Sequence, residues 1–223
     1  MGSYRKIVTV SMREQLYEAL KGLILDNSYR PRSVLAIDRI AEEFGVSATP
    51  VREALVKLEG DGFVELIPNR GALVTDIREE DVRNIWDMRL LLEPYAAREC
   101  TATADGEELG ILAADIRLLS SAPDDNGLYM DTDLRLHELL YLDVKNGLLL
   151  DTIRRVHQMS LRVRYFAEHR PELREVVVRE VIAEHLGIIE AVRTRQPDAV
   201  EALLRTHLQN GQRRTIDALR SSH

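Results

Sequence analysis

Four side chains able to bind a metal or a proton fall where their segments are otherwise apolar. Asp133, Leu136, His137 and Leu140 recur at helical spacing, which puts Asp133 and His137 one turn apart on a single stripe. His185 shares a stripe with Ile188, Ile189 and Val192, and His207 with Val200, Leu203 and Leu204. One carboxylate and three imidazoles therefore project inward from three segments. Burying a polar group without a partner is costly, so each of them needs one. Two solutions are open. Each histidine is a hydrogen-bonded core residue, or three imidazole nitrogens and one carboxylate oxygen together hold a divalent transition metal.

Arg89 is a further polar residue on an apolar face, among Val82, Ile85, Leu92 and Ala96. It is either an inward salt bridge to Glu93 or a fork for a carboxylate ligand, since a guanidinium grips a carboxylate at two points. His157, beside Ile153 and Val156, reads as pocket-lining or as a satisfied core histidine. The pattern does not resolve Arg162 and Arg164, which would also suit a surface. His169 and His223, at a segment end and at the last position, carry no signal.

The elements that position these residues are helices. From Glu79 onward the periodicity predicts helices over 79–99, 105–120, 128–144, 147–168, 172–195 and 197–219, with no strand-like alternation. The breaks fall at Ser120–Gly127, Gly147 and Arg170-Pro171, and Pro197 and Asp198 open the last helix. The expected architecture is an antiparallel all-α bundle.

A different device precedes it, in the run Phe44-Gly45-Val46-Ser47-Ala48-Thr49-Pro50-Val51-Arg52-Glu53-Ala54-Leu55. Ile40, Ala41 and Phe44 mark one helical face. Gly45 suits the left-handed residue that ends a helix. Ser47 suits the N-cap of the next helix, and Pro50 its first turn. Val51, Leu55 and Leu58 then define the buried face, leaving Thr49, Arg52 and Glu53 outward near the N-terminus. This is the layout of a helix-turn-helix, whose second helix offers its N-terminal residues to base edges in the major groove. Phe63–Ile67 and Ala72–Thr75 read as strands around the turn Pro68-Asn69-Arg70-Gly71, a hairpin wing. Ser47, Thr49, Arg52, Arg70 and Gly71 are the candidate DNA contacts.

The 223 residues allow two modest domains, expected at 10–77 and 79–219. Met1-Gly2-Ser3 has the composition of a cloning remnant and is left out of the fold reading. The net charge of −7 is unexpected for a DNA binder until it is divided. Residues 1–78 hold eleven basic and eleven acidic side chains, so the excess acid lies beyond them. A neutral reading domain implies a modest nonspecific attraction to DNA. The single Cys100 excludes an internal disulfide and fits a reducing cytoplasm. There is no visible secretory signal and no apolar run of the ~20 residues needed to span a bilayer.

Residues 12–77 resemble the winged-helix domain of GntR-type bacterial regulators. The resemblance is carried by Tyr17–Leu25, Arg30-Pro31, Val46-Ser47 through Leu55, Leu58–Val64 and Pro68–Gly71. Many relatives have arginine where this chain has Ala48, which implies that the interaction with DNA is weakened or altered at that position. Residues 79–219 resemble the FCD effector domain of the FadR-type branch, nearest its VanR-like members. Its Asp-x-x-x-His motif matches Asp133–His137, its later histidines match His185 and His207, and its Arg-x-x-x-Glu element matches Arg89–Glu93. The resemblance implies a divalent metal on Asp133, His137, His185 and His207, with zinc first and nickel, manganese, iron or cobalt as alternatives. It also implies a small organic acid effector received with the help of Arg89. The expected function is a homodimeric, ligand-responsive repressor of a pseudo-palindromic DNA operator, cytoplasmic and not an enzyme. Two alternatives stand beside it. The metal is structural or is itself the signal, or the inward His/Asp site belongs to a metal-dependent hydrolase. No nucleophile with an evident base supports the hydrolase.

Overall fold

In a computed structural model, residues 11–25, 28–168 and 174–220 are described, the side chains of 162, 165–168 and 174 excepted. The chain divides into two compact units, the first ending at Ile77 and the second beginning at Arg78.

In the first unit, α1 (Met12–Leu25), α2 (Ile37–Phe44) and α3 (Ala48–Gly60) accompany a three-stranded antiparallel sheet in the order β1-β3-β2. The strands are β1 (Val34–Ala36), β2 (Val64–Ile67) and β3 (Gly71–Val74). The expected hairpin is β2 and β3, with Val64 opposite Val74 and Ile67 opposite Gly71. The short β1, which pairs Ala36 with Gly71, is absent from the sequence expectation. Three residues give too little alternation to be read. Gly45 ends α2 with φ 64°, the left-handed conformation its position demands. Gly71 has φ 141°, and a Cβ on it would lie 1.8 Å from the carbonyl oxygen of Leu35. The approach of β1 to β3 therefore requires glycine there. Leu20, Val51, Leu55, Leu58, Phe63 and Ala72 are almost wholly buried in the core. Each large one contributes about 1.5–3 kcal/mol by leaving water.

The second unit is helical: α4 (Glu79–Cys100), α5 (Gly106–Leu118), α6 (Asn126–Tyr141), α7 (Gly147–Glu168), α8 (Arg174–Arg193) and α9 (Pro197–Arg220). Carboxylate caps set several starts. Asp81 accepts from the N–H of Arg78, Asp105 from Glu107 and Glu108, and Asp125 from Leu128. The Asp125 cap explains why α6 begins at 126 rather than 128. It ends at Tyr141, short of the expected 144. The expected start of α8 at 172 lies outside the described residues. α4 and α9 run antiparallel and are tied at both ends, Glu79 to Arg220 and Arg98 to Asp198 and Glu201. α4 also packs against α6 and α7, and α8 against α9 and α5. These contacts enclose the inward faces of α6, α8 and α9.

Candidate functional site

The first candidate site is the start of α3 with the wing tip. Ser47 occupies the N-cap position with extended backbone, but its hydroxyl makes no capping bond to the helix. The N-cap placement is right and the capping role is not. Ser47, Thr49, Arg52 and Glu53 are exposed, while Val51, Ala54, Leu55 and Leu58 of the same helix are buried. Helical periodicity thus turns one face into the core and leaves the other to a partner. The helix start also presents unpaired backbone N–H groups and the positive end of the helix dipole, which suit a phosphate. At the wing, Asn69 takes a left-handed φ of 60° and the Arg70 N–H closes the turn on Ile67 at 3.0 Å. Arg70 is exposed at the tip, whereas Gly71 is buried against β1.

The second candidate site lies within the helical unit. Asp133 and His137 come from α6, His185 from α8 and His207 from α9, and all four are buried. Asp133, His185 and His207 each offer a ligand atom within 4.8 Å of the other two. His137 stands beside this trio rather than within it. Its Nε2 is 3.9 Å from Asp133 Oδ1, and its Nδ1 is 2.8 Å from Glu93 Oε2. On α9, Val200 and Leu204 are buried as expected, while Leu203 is exposed.

The partners of these residues follow a pattern. His207 Nδ1 sits 2.7 Å from Glu184 Oε2, and His137 Nδ1 has Glu93 in the same role. A carboxylate on one imidazole nitrogen fixes the ring and leaves the other nitrogen as a lone-pair donor, the usual support of a metal-ligating histidine. Glu184 is itself held by Arg214 and Asn210. Asp133 turns Oδ1 toward His185 Nε2 at 3.6 Å, while its Oδ2 accepts from Arg164. His185 is the exception. Among the described residues, neither of its ring nitrogens has a hydrogen-bond partner. An imidazole buried with both nitrogens unpaired is costly unless one of them is a ligand atom.

Electrostatics keep the imidazoles as neutral donors. Burial holds His185 well below the ordinary histidine range, with the neighbouring His207 and His137 adding to it. Burial takes His207 down to about 4, although Glu184 opposes the shift. Burial would raise the Glu93 carboxyl, but Arg89 and His137 outweigh it and hold it well below its usual value. In the same way His207 and Arg214 overcome burial to bring Glu184 to about 2.

Arg89 forms the inward salt bridge: Nε to Glu93 Oε1 at 2.6 Å and Nη2 to Oε2 at 3.3 Å. The same Nη2 lies 3.3 Å from His137 Nε2, so Arg89 lies against the histidine cluster. His157 is buried and meets the Tyr141 hydroxyl at 3.2 Å through Nδ1. Arg164 is buried against Asp133 and His157, so the surface reading of it fails. The sequence held a signal for it, because His157, Ser160 and Arg164 share a helical face and all three are buried. The side chain of Arg162, and His169 and His223, lie outside the described residues. Glu184 and Arg214 went unread. Arg214 continues the face of His207 and Asn210 along α9, a polar stripe that periodicity could have shown.

Comparison with known proteins fits this division. Residues 12–74 match the family described as bacterial regulatory proteins, gntR family, and residues 84–210 match the FCD domain. The chain is 29% identical over 201 residues to an uncharacterized HTH-type transcriptional regulator of Bacillus subtilis (strain 168), YdhC, covering 86% of each chain. It is also 29% identical over 203 residues to the HTH-type transcriptional repressor RspR of Escherichia coli (strain K12), covering 90% of this chain and 87% of that one. Its fold is similar to that of E. coli McbR/YncC, with a TM-score of 0.76 at 20% identity over 91% of this chain and 95% of that one. The matched family and the two HTH-type relatives are transcriptional regulators rather than enzymes, which removes the hydrolase alternative. No helix among the described residues is long and apolar enough to cross a membrane. The chain belongs to the gntR family of bacterial regulatory proteins, in the FadR/VanR-like branch whose second domain is an FCD domain.

Proposed function

We propose that this regulator is a homodimeric repressor whose operator affinity is set by a small organic acid bound at a metal centre in the helical unit. The observation that carries the reading is His185. It is a buried imidazole with no hydrogen-bond partner among the described residues, and its Nε2 faces Asp133 and the ring of His207. A divalent cation on Asp133, His185 and His207, with His137 as the fourth ligand, would give His185 its partner. It would also use the two histidines already oriented by carboxylates. Nitrogen and oxygen donors of this kind suit zinc first, and nickel, cobalt, iron or manganese as well.

Such a cation would supply a coordination point for a carboxylate. The chain's own residues do the rest. Glu93 and Glu184 hold the imidazoles, Arg164 holds Asp133, and Arg89 contributes its guanidinium on the His137 side. In the reading unit Ser47, Thr49 and Arg52 reach base edges and phosphates at the start of α3, and Arg70 brings the wing onto the backbone, while Gly71, buried against β1, shapes the wing rather than touching DNA. Two copies would meet two half-sites of a pseudo-palindromic operator. A ligand that binds one arrangement of the dimer better than another shifts operator affinity by that difference.

The test is the metal content of the purified, untagged protein beside the Asp133→Ala/His137→Ala variant. It is followed by binding to operator duplexes selected from a random pool, with and without carboxylates. Near-stoichiometric metal that is lost in the variant is the expected result. Absence of metal in both, even after reloading, overturns the metal-centre reading. An Arg89→Ala variant separates the carboxylate receptor from a structural or signalling metal. It should keep its metal and lose its carboxylate response.

A further inference from the structure

The buried charges of the helical unit constrain what its ligand must carry. Among the described residues, the charged side chains more than nine-tenths buried are Arg89, Glu93, Asp133 and Arg164, together with four histidines. They form two ion pairs, Arg89 with Glu93 and Arg164 with Asp133. Histidines that ligate a metal do so as neutral imidazoles. The half-buried Glu184–Arg214 pair behind His207 adds no net charge. Two guanidiniums therefore meet two carboxylates, and this set is neutral before any cation enters.

Many cation sites are lined by surplus carboxylates that the metal neutralises. Here the one ligand carboxylate is already matched by Arg164. Counted over the described buried side chains, a divalent ion would leave two positive charges without a counter-charge in a region from which water is largely excluded, and such burial is strongly unfavourable. We infer that the acid completing this site is a dianion, with two carboxylates on a small skeleton, and that cation and dianion bind cooperatively. A monocarboxylate would leave one charge unmet. Arg164 is the residue that creates the requirement, because it offsets Asp133 in advance. The inference rests on the metal centre proposed above.

The experiment uses the full chain, zinc at a buffered free concentration, and two probes of one skeleton. Malonate carries two negative charges, and its monoamide, malonamate, carries one. In the wild type, malonate should raise the apparent zinc affinity at least tenfold more than malonamate at equal ionic strength. In Arg164→Gln, which carries one positive charge fewer, that preference should shrink at least tenfold. Arg164→Lys should restore it, and thermal melts confirm that both variants fold. Equal effects of the two probes on the wild type, or no effect of either, overturn the inference and leave the metal centre standing. No zinc uptake under any condition instead overturns the metal centre. A preference that persists unchanged in folded Arg164→Gln assigns it to donor strength rather than to buried charge.

Discussion

The two units place their polar chemistry on opposite sides of the surface. In the reading unit the candidate DNA contacts Ser47, Thr49, Arg52 and Arg70 are exposed, and none of its described residues is a fully buried charged side chain. In the effector unit Arg89, Glu93, Asp133, Arg164 and four histidines are buried together. The difference follows from the partner. DNA is met at the surface, so water can satisfy the contact residues until it arrives. A small ligand is surrounded, so its receptors must be held inside by charges and hydrogen bonds of the protein itself. Stability and function are therefore separable in the first unit and entangled in the second.

Acid should expose this contrast most strongly. All six histidines lie beyond residue 78. Burial depresses His207 to about 4 and His157 to about 3. Between those values and the ordinary histidine range, the unfolded chain takes up protons that the folded chain refuses. Stability therefore falls as pH drops from about 6.5 toward 4. Glu184, held at about 2, adds a loss of the same sign below the ordinary glutamate range. The only tryptophan, Trp86, is buried in α4 and reports on the effector unit alone. Its fluorescence transition in urea should move to lower denaturant between pH 7 and pH 4.5, ahead of any loss of reading-unit helix followed by hydrogen exchange. A transition that does not move over that interval would contradict the buried, neutral imidazoles.

Cutting one ion pair in each unit should give the next largest difference. Glu93→Ala leaves Arg89 and the Nδ1 of His137 without their carboxylate in a buried setting. The expected loss is about 3–5 kcal/mol, read from urea unfolding by Trp86 fluorescence. The Glu14–Lys57 pair of the reading unit, each partner about one-third exposed, should matter far less. Glu14→Ala is expected to leave the unfolding midpoint of the reading unit, followed by hydrogen exchange of its helices, nearly where it stands in the wild type. Comparable losses in the two variants would erase the distinction.

The converse cut removes function without stability. Arg52 is exposed on α3 and makes no contribution to the core. Arg52→Ala should weaken binding to a selected operator by about 1–3 kcal/mol, roughly fivefold to a hundredfold, if it reads a base. The melting temperature should stay the same. If it touches only phosphate, the loss will be uniform across sequences and the salt dependence will be shallower. Either result keeps Arg52 at the interface, and unchanged binding removes it.

The same contrast decides what could be read from the sequence. The reading unit was legible because its signals are local. Gly45, Pro50 and the turn Pro68–Gly71 act within a few residues of themselves. Only β1 escaped, and the reason for Gly71 with it, since both depend on pairing between Val34–Ala36 and a strand far along the chain. In the effector unit, helical periodicity exposed Asp133, His137, His185, His207 and Arg89, each a polar residue on an apolar stripe. It could not name most of their partners. Glu184 reaches His207 from another helix, and Arg164 reaches Asp133 across α7 and α6. Such pairs are fixed by packing, which periodicity along one segment does not encode. The Glu93–Arg89 pair was readable because it lies one turn apart on one helix.

The smallest expected effect is also the most specific. His185 is fully buried and, among the described residues, lacks a hydrogen-bond partner for either nitrogen. A group retained at the expense of stability points to use in binding. Replacing it with an apolar residue of similar size removes two unsatisfied polar atoms and keeps most of the volume. His185→Leu should therefore raise the stability of the chain measured in chelator by about 1 kcal/mol. It should also abolish the gain in melting temperature that wild type shows when zinc is added, since an ion that binds only the folded chain stabilises it. His207→Leu makes the control. That imidazole is bonded to Glu184, so its loss removes a buried hydrogen bond from a carboxylate that keeps Arg214 and Asn210, and should lower stability in chelator while equally removing the zinc effect. If both leucine variants are destabilised alike, His185 is a structural residue and the argument from its unpaired nitrogens fails. If only His207→Leu is, the chain carries an imidazole that its fold does not need and its ligand does.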